Sequence, residues 1–241
     1  MTHGGWNGLA EKLHLQTLNG KGYTAEWKSS PLNKDAFLTE GAASWETMLE
    51  DWNVSRDFPL PDGYTFRGID HDLLIKIGAR KALDSFGTKC TLFPLHVGGE
   101  LVGGIKAVNF PNEKTKRKYI NSNGEWSRTS GLFPIHYKKR WPVVIIVEGP
   151  RDAMFLLQQR IPALASLGTQ SWSDAKRDLL LSVGCEFCFI AGDGDDAGRK
   201  MNKIVSDSLK GYIPRKTISI PDGEDPASLP YSFWKPYKKY F

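Results

Sequence analysis

Two short apolar runs, Val143–Val147 (VVIIV) and Phe187–Ala191 (FCFIA), constrain this chain more than any other feature. Neither run alternates polar with apolar residues. Each must therefore be covered on both faces, as a strand inside a parallel sheet is. Between them, helical spacing predicts a helix from about Arg151 to Gln159, a short strand over Ala163–Ser166 and a helix from about Ser171 to Leu181. Beyond them, Ala197–Leu209 reads as helix and Lys216–Ile220 as a last strand. Strand and helix in alternation make an α/β fold over residues 141–222, with a mostly parallel sheet flanked by helices.

Both apolar runs end on acids. The first leads into Glu148-Gly149-Pro150-Arg151-Asp152, the second into Asp193-Gly194-Asp195-Asp196-Ala197-Gly198. In an open parallel sheet, groups at the carboxyl ends of strands face the crevice where ligands bind. Asp193 and Asp195 are two residues apart, so a locally extended backbone turns both carboxylates to one side. Asp152 falls in the first turn of the helix that follows Glu148. Two like charges ~4 Å apart repel by about 4 kcal/mol at an effective dielectric of 20. Carboxylates converging there must be protonated or share divalent cations. Oxygen ligands without histidine or cysteine favour Mg²⁺ or Mn²⁺, with room for more than one ion, over zinc. Such ions act on phosphates. One acid alone would read as a helix cap; two acid–glycine motifs after two buried strands read as a metal site.

The flanking regions differ in character. Residues 1–66 form a helical or irregular lead-in with Trp6, Trp27, Trp45 and Trp52, and short helices are expected around Leu9–Leu15 and Ser44–Trp52. Over residues 67–140, a helix at Asp70–Ile77 precedes β-rich runs at Thr91–His96 and Leu101–Phe110, joined by Gly98-Gly99. A basic stretch containing Lys114, Lys116 and Arg117 follows. This reads as a small mixed α+β unit carrying much of the positive charge. Residues 223–241 are a tail rich in proline and tyrosine that ends in KPYKKYF, a docking or partly ordered extension.

The motifs VEGPRDA, SLGT (166–169) and AGDGDDAGRK together resemble the Toprim domain of bacterial-type DNA primases, topoisomerases and some nucleases. That resemblance implies metal-dependent phosphoryl transfer organised by Glu148, Asp193 and Asp195, with Asp152 a weaker match. Upstream, Phe66-Arg67-Gly68-Ile69, Thr91–Leu95, Leu101–Lys106 and Lys118-Tyr119-Ile120-Asn121-Ser122 resemble the RNA-polymerase core of DnaG-like primases. So does ISIPDGEDP at 218–226, which places Asp225 near the metals, although Ala227 stands where a second acid is usual. The resemblance spans about residues 66–228. It implies a DNA-dependent RNA primase, with Arg67, Lys106, Lys118 and Asn121 as nucleotide or template contacts. The alternatives are a Toprim nuclease, against which the KYINS element speaks, and a non-catalytic nucleic-acid-binding replication protein.

Composition narrows this further. The 241 residues carry a net charge of +5, which permits a polyanionic partner without requiring one. Three cysteines cannot build a disulfide framework or a four-cysteine zinc ribbon, and Cys185 and Cys188 read as core residues. No GxxxxGK[ST] loop, membrane-length apolar run or signal-peptide pattern occurs. The expectation is a cytoplasmic, stand-alone core of bacteriophage type, working in a bacterial host and not on a membrane. Its partners would be single-stranded DNA, ribonucleoside triphosphates, and a separate replicative helicase with a zinc-binding or single-strand-binding protein.

Overall fold

The computed structural model describes residues 44–111, 117–129 and 131–241. Trp6, Trp27, the helix expected around Leu9–Leu15, Lys114 and Lys116 lie outside them. Two sheets organise the described chain. The first is antiparallel, in the order β1 (Val54–Phe58), β2 (Arg80–Asp84), β3 (Lys89–Val97), β4 (Glu100–Val108) and β5 (Tyr119–Asn121). Helix α1 (Trp45–Asp51) starts where the Ser44 hydroxyl accepts from the Thr47 N–H, and α2 (His71–Lys76) lies between β1 and β2.

The sequence reading placed residues up to 66 in a lead-in and predicted neither β1 nor β2. In the structure, α1 and β1 are part of the antiparallel unit. VSRDF is an edge strand with no buried residue, and its polar pattern carries no strand period.

The register decides what each face of this sheet does. Phe58, Lys81, Thr91, Ala107 and Tyr119 pair in one row across all five strands. Alternate residues point the other way. That second face carries Ala82, Cys90 and Leu92, which pack with Met48 and Trp52 under α1.

Lys106 falls on this covered face, and its expected role as a nucleic-acid contact is corrected by its surroundings. It is 6% exposed, and its Nζ donates to the Trp52 carbonyl at 2.8 Å and to Asp84 Oδ2 at 3.2 Å. Asp84 Oδ1 in turn accepts from the Phe86 and Thr88 N–H groups, closing the β2–β3 turn. Burial works to raise the Asp84 pKa, but these hydrogen bonds and the Lys106 charge outweigh it and hold the carboxyl below its ordinary value.

The second sheet is parallel. Its strands β6 (Val143–Val147), β7 (Ala163–Ala165), β8 (Phe187–Ala191) and β9 (Arg215–Thr217) lie in the order β7-β6-β8-β9. Helices α4 (Pro150–Gln158), α5 (Asp174–Ser182) and α6 (Asp196–Leu209) connect them, and a short helix α3 (Trp126–Thr129) precedes the sheet. Every residue of VVIIV and FCFIA is buried, as continuous apolar runs require. All three cysteines are buried and unbridged.

The two sheets share one hydrophobic core, in which Trp126, Trp141 and Trp234 are fully buried. They are also joined through the backbone: Phe133 and Ala165 exchange N–H···O bonds of 3.1 and 2.7 Å. The Gln158 side chain bridges to the loop before α2, accepting from the Asp70 N–H at 2.7 Å and donating to the Gly68 carbonyl at 3.1 Å. The tail docks: α7 (Tyr231–Trp234) and a 3₁₀ turn (Lys235–Tyr240) bring Tyr237 and Tyr240 to 5.6 and 5.5 Å from the Phe189 ring.

Removing one member of a buried ion pair strands the other charge and costs about 3–5 kcal/mol. Lys106→Ala should therefore show that loss in urea unfolding, and Lys106→Ala/Asp84→Ala should recover part of it. An undiminished midpoint for the single variant would put Lys106 at the surface after all.

Candidate active site at the carboxyl edge of the parallel sheet

In the order β7-β6-β8-β9 the chain turns one way from β6 to β7 and the other way to β8. The crevice between β6 and β8 is thus the topological switch point, where open α/β sheets place their ligands. Val147 pairs with Ala191 at the carboxyl ends of these two strands. Glu148 leaves β6 there, and Gly192-Asp193 leaves β8 beside it.

Close backbone approach shapes the loop after β8. A Cβ on Gly194 would lie 1.9 Å from the Pro221 carbonyl oxygen, and one on Gly198 would lie 2.1 Å from that of Asp193. Glycine at 194 lets residues 221–224 fold across the loop: the Gly194 N–H donates to Glu224 O at 2.8 Å, and the Gly223 N–H to Gly194 O at 2.9 Å. The boundary expected after residue 222 therefore falls inside a packed segment. These glycines stood in the quoted motifs, but their necessity was invisible without the segment that packs on them.

The acids have different surroundings. Asp195 caps α6, its Oδ1 accepting from the Gly198 N–H at 2.7 Å, so the capping role weighed for a single acid is present here. Asp193 is half-buried, and its Oδ1 is shielded from solvent without a hydrogen-bond partner. Asp152 is buried and accepts from the Ala227 N–H at 3.3 Å. Ala227 thus holds Asp152 through its backbone, at the position where a second acid was expected. Asp225 accepts from the Ser228 N–H at 2.6 Å and stands 3.7 Å from Arg151.

Burial and mutual repulsion raise three of these carboxyls. Burial, then the charges of Asp193 and Asp195, pushes Glu148 up to about 7. Burial, then Asp225 and Asp193, pushes Asp152 up to about 7, against the Ala227 N–H and Arg151. Asp193 rises to about 6 through burial, Asp225 and Asp195. Glu148, Asp152, Asp193, Asp195 and Asp225 therefore form one electrostatically linked group. Among the described residues, no three Asp, Glu, His or Cys side chains converge tightly enough to make a ligand set by themselves. The orphaned Asp193 oxygen and an all-carboxylate donor set fit a hard cation that keeps water and phosphate oxygens in its shell, as Mg²⁺ does.

The basic candidates are less unified. Arg67, with φ +48°, lies between the Phe66 and Tyr119 rings, 5.0 and 4.9 Å from their centroids. It donates to the Tyr119 hydroxyl at 3.1 Å and to the Val108 carbonyl. Burial raises the Tyr119 pKa, and the charges of Arg67, Asp152 and Arg151 act on it as well. The Arg67–Tyr119 pair accordingly adjoins the acidic edge, and Tyr119 escaped the sequence reading, which took its neighbours instead. Lys118 is exposed and Asn121 lies in β5 opposite Ile105. Strand alternation puts these two on opposite faces, so the structure does not bring them together.

A second residue missed was Lys176. It is fully buried on α5, and its Nζ donates to the Ser166 carbonyl at 2.6 Å; burial lowers its pKa to about 7. The Ser171 hydroxyl donates to the same carbonyl, and the Leu167 N–H donates to Glu148 O at 3.1 Å. Lys176 thus anchors the SLGT loop against Glu148. An apolar helix face gave no sign of it.

Across this sheet and its acidic edge, residues 145–229 match the Toprim-like family. The described chain as a whole has the fold of DnaG-type primase catalytic domains. A DNA primase domain from Pseudomonas aeruginosa matches at 23% identity and a TM-score of 0.53, over 78% of this chain and 54% of that one. A DnaG primase catalytic domain bound to single-stranded DNA matches at 19% identity and 0.57, over 86% and 73%. The primase fragment of the bacteriophage T7 primase-helicase matches at 15% and 0.55, over 72% and 74%. This chain thus spans about half the length of the Pseudomonas chain. No curated protein matches the sequence. No helix among the described residues is long and apolar enough to cross a membrane.

Carboxyls whose pKa is raised by folding bind more protons in the folded than in the unfolded chain. Their contribution is complete below about pH 4 and is lost as pH rises through about 6–7. In EDTA the melting temperature should therefore fall between pH 5 and pH 8, and Asp193→Asn should flatten that slope. Mg²⁺ or Mn²⁺ should raise the melting temperature more at pH 8 than at pH 5. A wild-type slope of opposite sign, or no metal-dependent shift at either pH, would contradict the assignment.

Proposed function

We propose that this chain is a catalytic core of a DnaG-type DNA primase, joining ribonucleotides on a single-stranded DNA template. The observation that carries the reading is the orphaned Asp193 carboxylate beside Glu148 at the switch point of a Toprim-type sheet. The acceptor 3′-hydroxyl would attack the α-phosphate of the incoming ribonucleoside triphosphate and release pyrophosphate. Glu148 and Asp193 would hold the Mg²⁺ or Mn²⁺, supported by Asp195, Asp152 and Asp225. Bound there, divalent cations supply charge neutralisation of the triphosphate and the leaving pyrophosphate.

Glu148 has a second role open to it. If it is not itself a ligand to the cation, its carboxylate would accept the proton of the attacking hydroxyl. Arg67 and Tyr119 form the wall between this edge and the antiparallel unit, where a nucleotide could be oriented. A replicative helicase and a zinc-binding or single-strand-binding protein would be its partners.

With single-stranded DNA, the four ribonucleoside triphosphates and Mn²⁺, short RNA products are expected, assayed with and without a candidate helicase or zinc-binding partner. Glu148→Gln should slow synthesis by about 10²–10⁴-fold, and Asp193→Ala should abolish it. DNA cleavage without nucleotides would instead support the nuclease reading. Absence of RNA under all these conditions would overturn the proposal.

A further inference from the structure

Lys176 lies on α5 with none of its surface exposed, and among the described residues no carboxylate pairs with it. The two acids of the same helix, Asp174 and Asp178, are both paired with Arg177, at 2.9 Å each. Taking an ammonium out of water without a counter-charge is costly. The cost shows in a pKa that burial lowers to about 7.

Against that cost stands a hydrogen bond to a backbone carbonyl, Ser166 O at 2.6 Å. The carbonyl would not be orphaned without it, because the Ser171 hydroxyl donates to the same oxygen. An apolar side chain of similar length would fill the space without desolvating a charge, and such replacements are often neutral or stabilising. The fold therefore gains little from this lysine. Its use lies in the carbonyl it holds.

Ser166 opens a turn with a conformational cost of its own. Leu167 has φ +67° and Gly168 φ +127°, so a leucine occupies the left-handed region that favours glycine. On one side the turn is bonded to the end of β6: the Ser166 N–H donates to the Val147 carbonyl at 2.9 Å, and the Leu167 N–H to that of Glu148 at 3.1 Å. Within the turn, the Ser166 and Ser171 hydroxyls donate to the Gly168 carbonyl at 3.3 and 2.7 Å. Lys176 reaches in from a helix whose start is fixed by Ser173, the hydroxyl of which accepts from the Lys176 N–H at 3.4 Å. The lysine thus ties a strained turn to a regular element, and the next partner of that turn is the backbone of Glu148.

We propose that Lys176 is a positioning residue for Glu148. By fixing the Ser166 carbonyl it keeps the left-handed Leu167 turn in place, and the turn keeps the Glu148 carboxylate directed at a cation beside Asp193. This rests on the reading of Glu148 as a metal ligand given above. A side chain with no exposed surface touches neither nucleotide nor template, so Lys176 acts through the turn alone.

The test replaces Lys176 with Met, which keeps the length of the side chain without its ammonium, and with Leu as a second apolar filling. In EDTA neither Lys176→Met nor Lys176→Leu should lower the melting temperature. Amide hydrogen exchange should lose protection over residues 166–171 while β6 and β8 keep theirs. Mn²⁺ binding, read by electron paramagnetic resonance of the free ion, should weaken about tenfold. In primer synthesis kcat should fall about 10–100-fold, with KM for the ribonucleoside triphosphates unchanged. Protection unchanged over 166–171, protection lost equally across β6 and β8, or unchanged Mn²⁺ binding would overturn the proposal. So would failure of both variants to fold, which would make the lysine a requirement of the fold. Exchange and Mn²⁺ binding are read without nucleotides, so absence of RNA from the wild-type protein would count against the primase reading and leave these two results standing.

Discussion

Five carboxylates share the crevice at the ends of β6 and β8, and the rest of this molecule is arranged around the energy of placing them there. Burial disfavours the ionised forms of Glu148, Asp152 and Asp193, and the charges of Asp193, Asp195 and Asp225 raise these carboxyls further. Without a counter-charge the cluster relaxes by binding protons. With divalent cations and a triphosphate it could ionise fully. The protein holds the cluster in place with fixed dipoles and close backbone packing: the Gly198 N–H on Asp195, the Ala227 N–H on Asp152, and the strand of chain from Pro221 to Glu224 laid across Gly194.

That packing explains why the antiparallel unit and the parallel sheet form one body. The Phe133–Ala165 backbone pair joins the units at β7, and Gln158 ties the end of α4 to the loop before α2. Arg67 and Tyr119 then meet the acidic edge from the other side. A positive wall beside a negative crevice suits a reaction in which a polyanion must be held while two further anions react, which is the chemistry proposed for this site.

The parallel sheet was legible because its signal is local. VVIIV and FCFIA can satisfy their apolar surface in few ways, and an acid at the end of each strand is placed by topology alone. The glycines, Lys176 and Tyr119 were not legible, because their roles depend on residues far away in sequence: Pro221 over Gly194, Ser166 over Lys176, Arg67 over Tyr119. Lys106 was misread for a related reason. A lysine in a β-rich stretch looks like surface charge until register and the helix over that face are known. Polar edge strands such as VSRDF carry no period to read.

Charge shows the same lesson. The net +5 is small, yet the fold sets an acidic strand-end crevice apart from a sheet face under α1 where Lys106 and Asp84 neutralise each other. Register and topology, rather than composition, produce that separation.

The most direct test of the central claim is anomalous diffraction from crystals soaked in Mn²⁺. The account predicts manganese density in the crevice between Glu148, Asp193 and Asp195, and its loss in Asp193→Ala. Manganese bound elsewhere with none in that crevice, or density indifferent to the substitution, would contradict it.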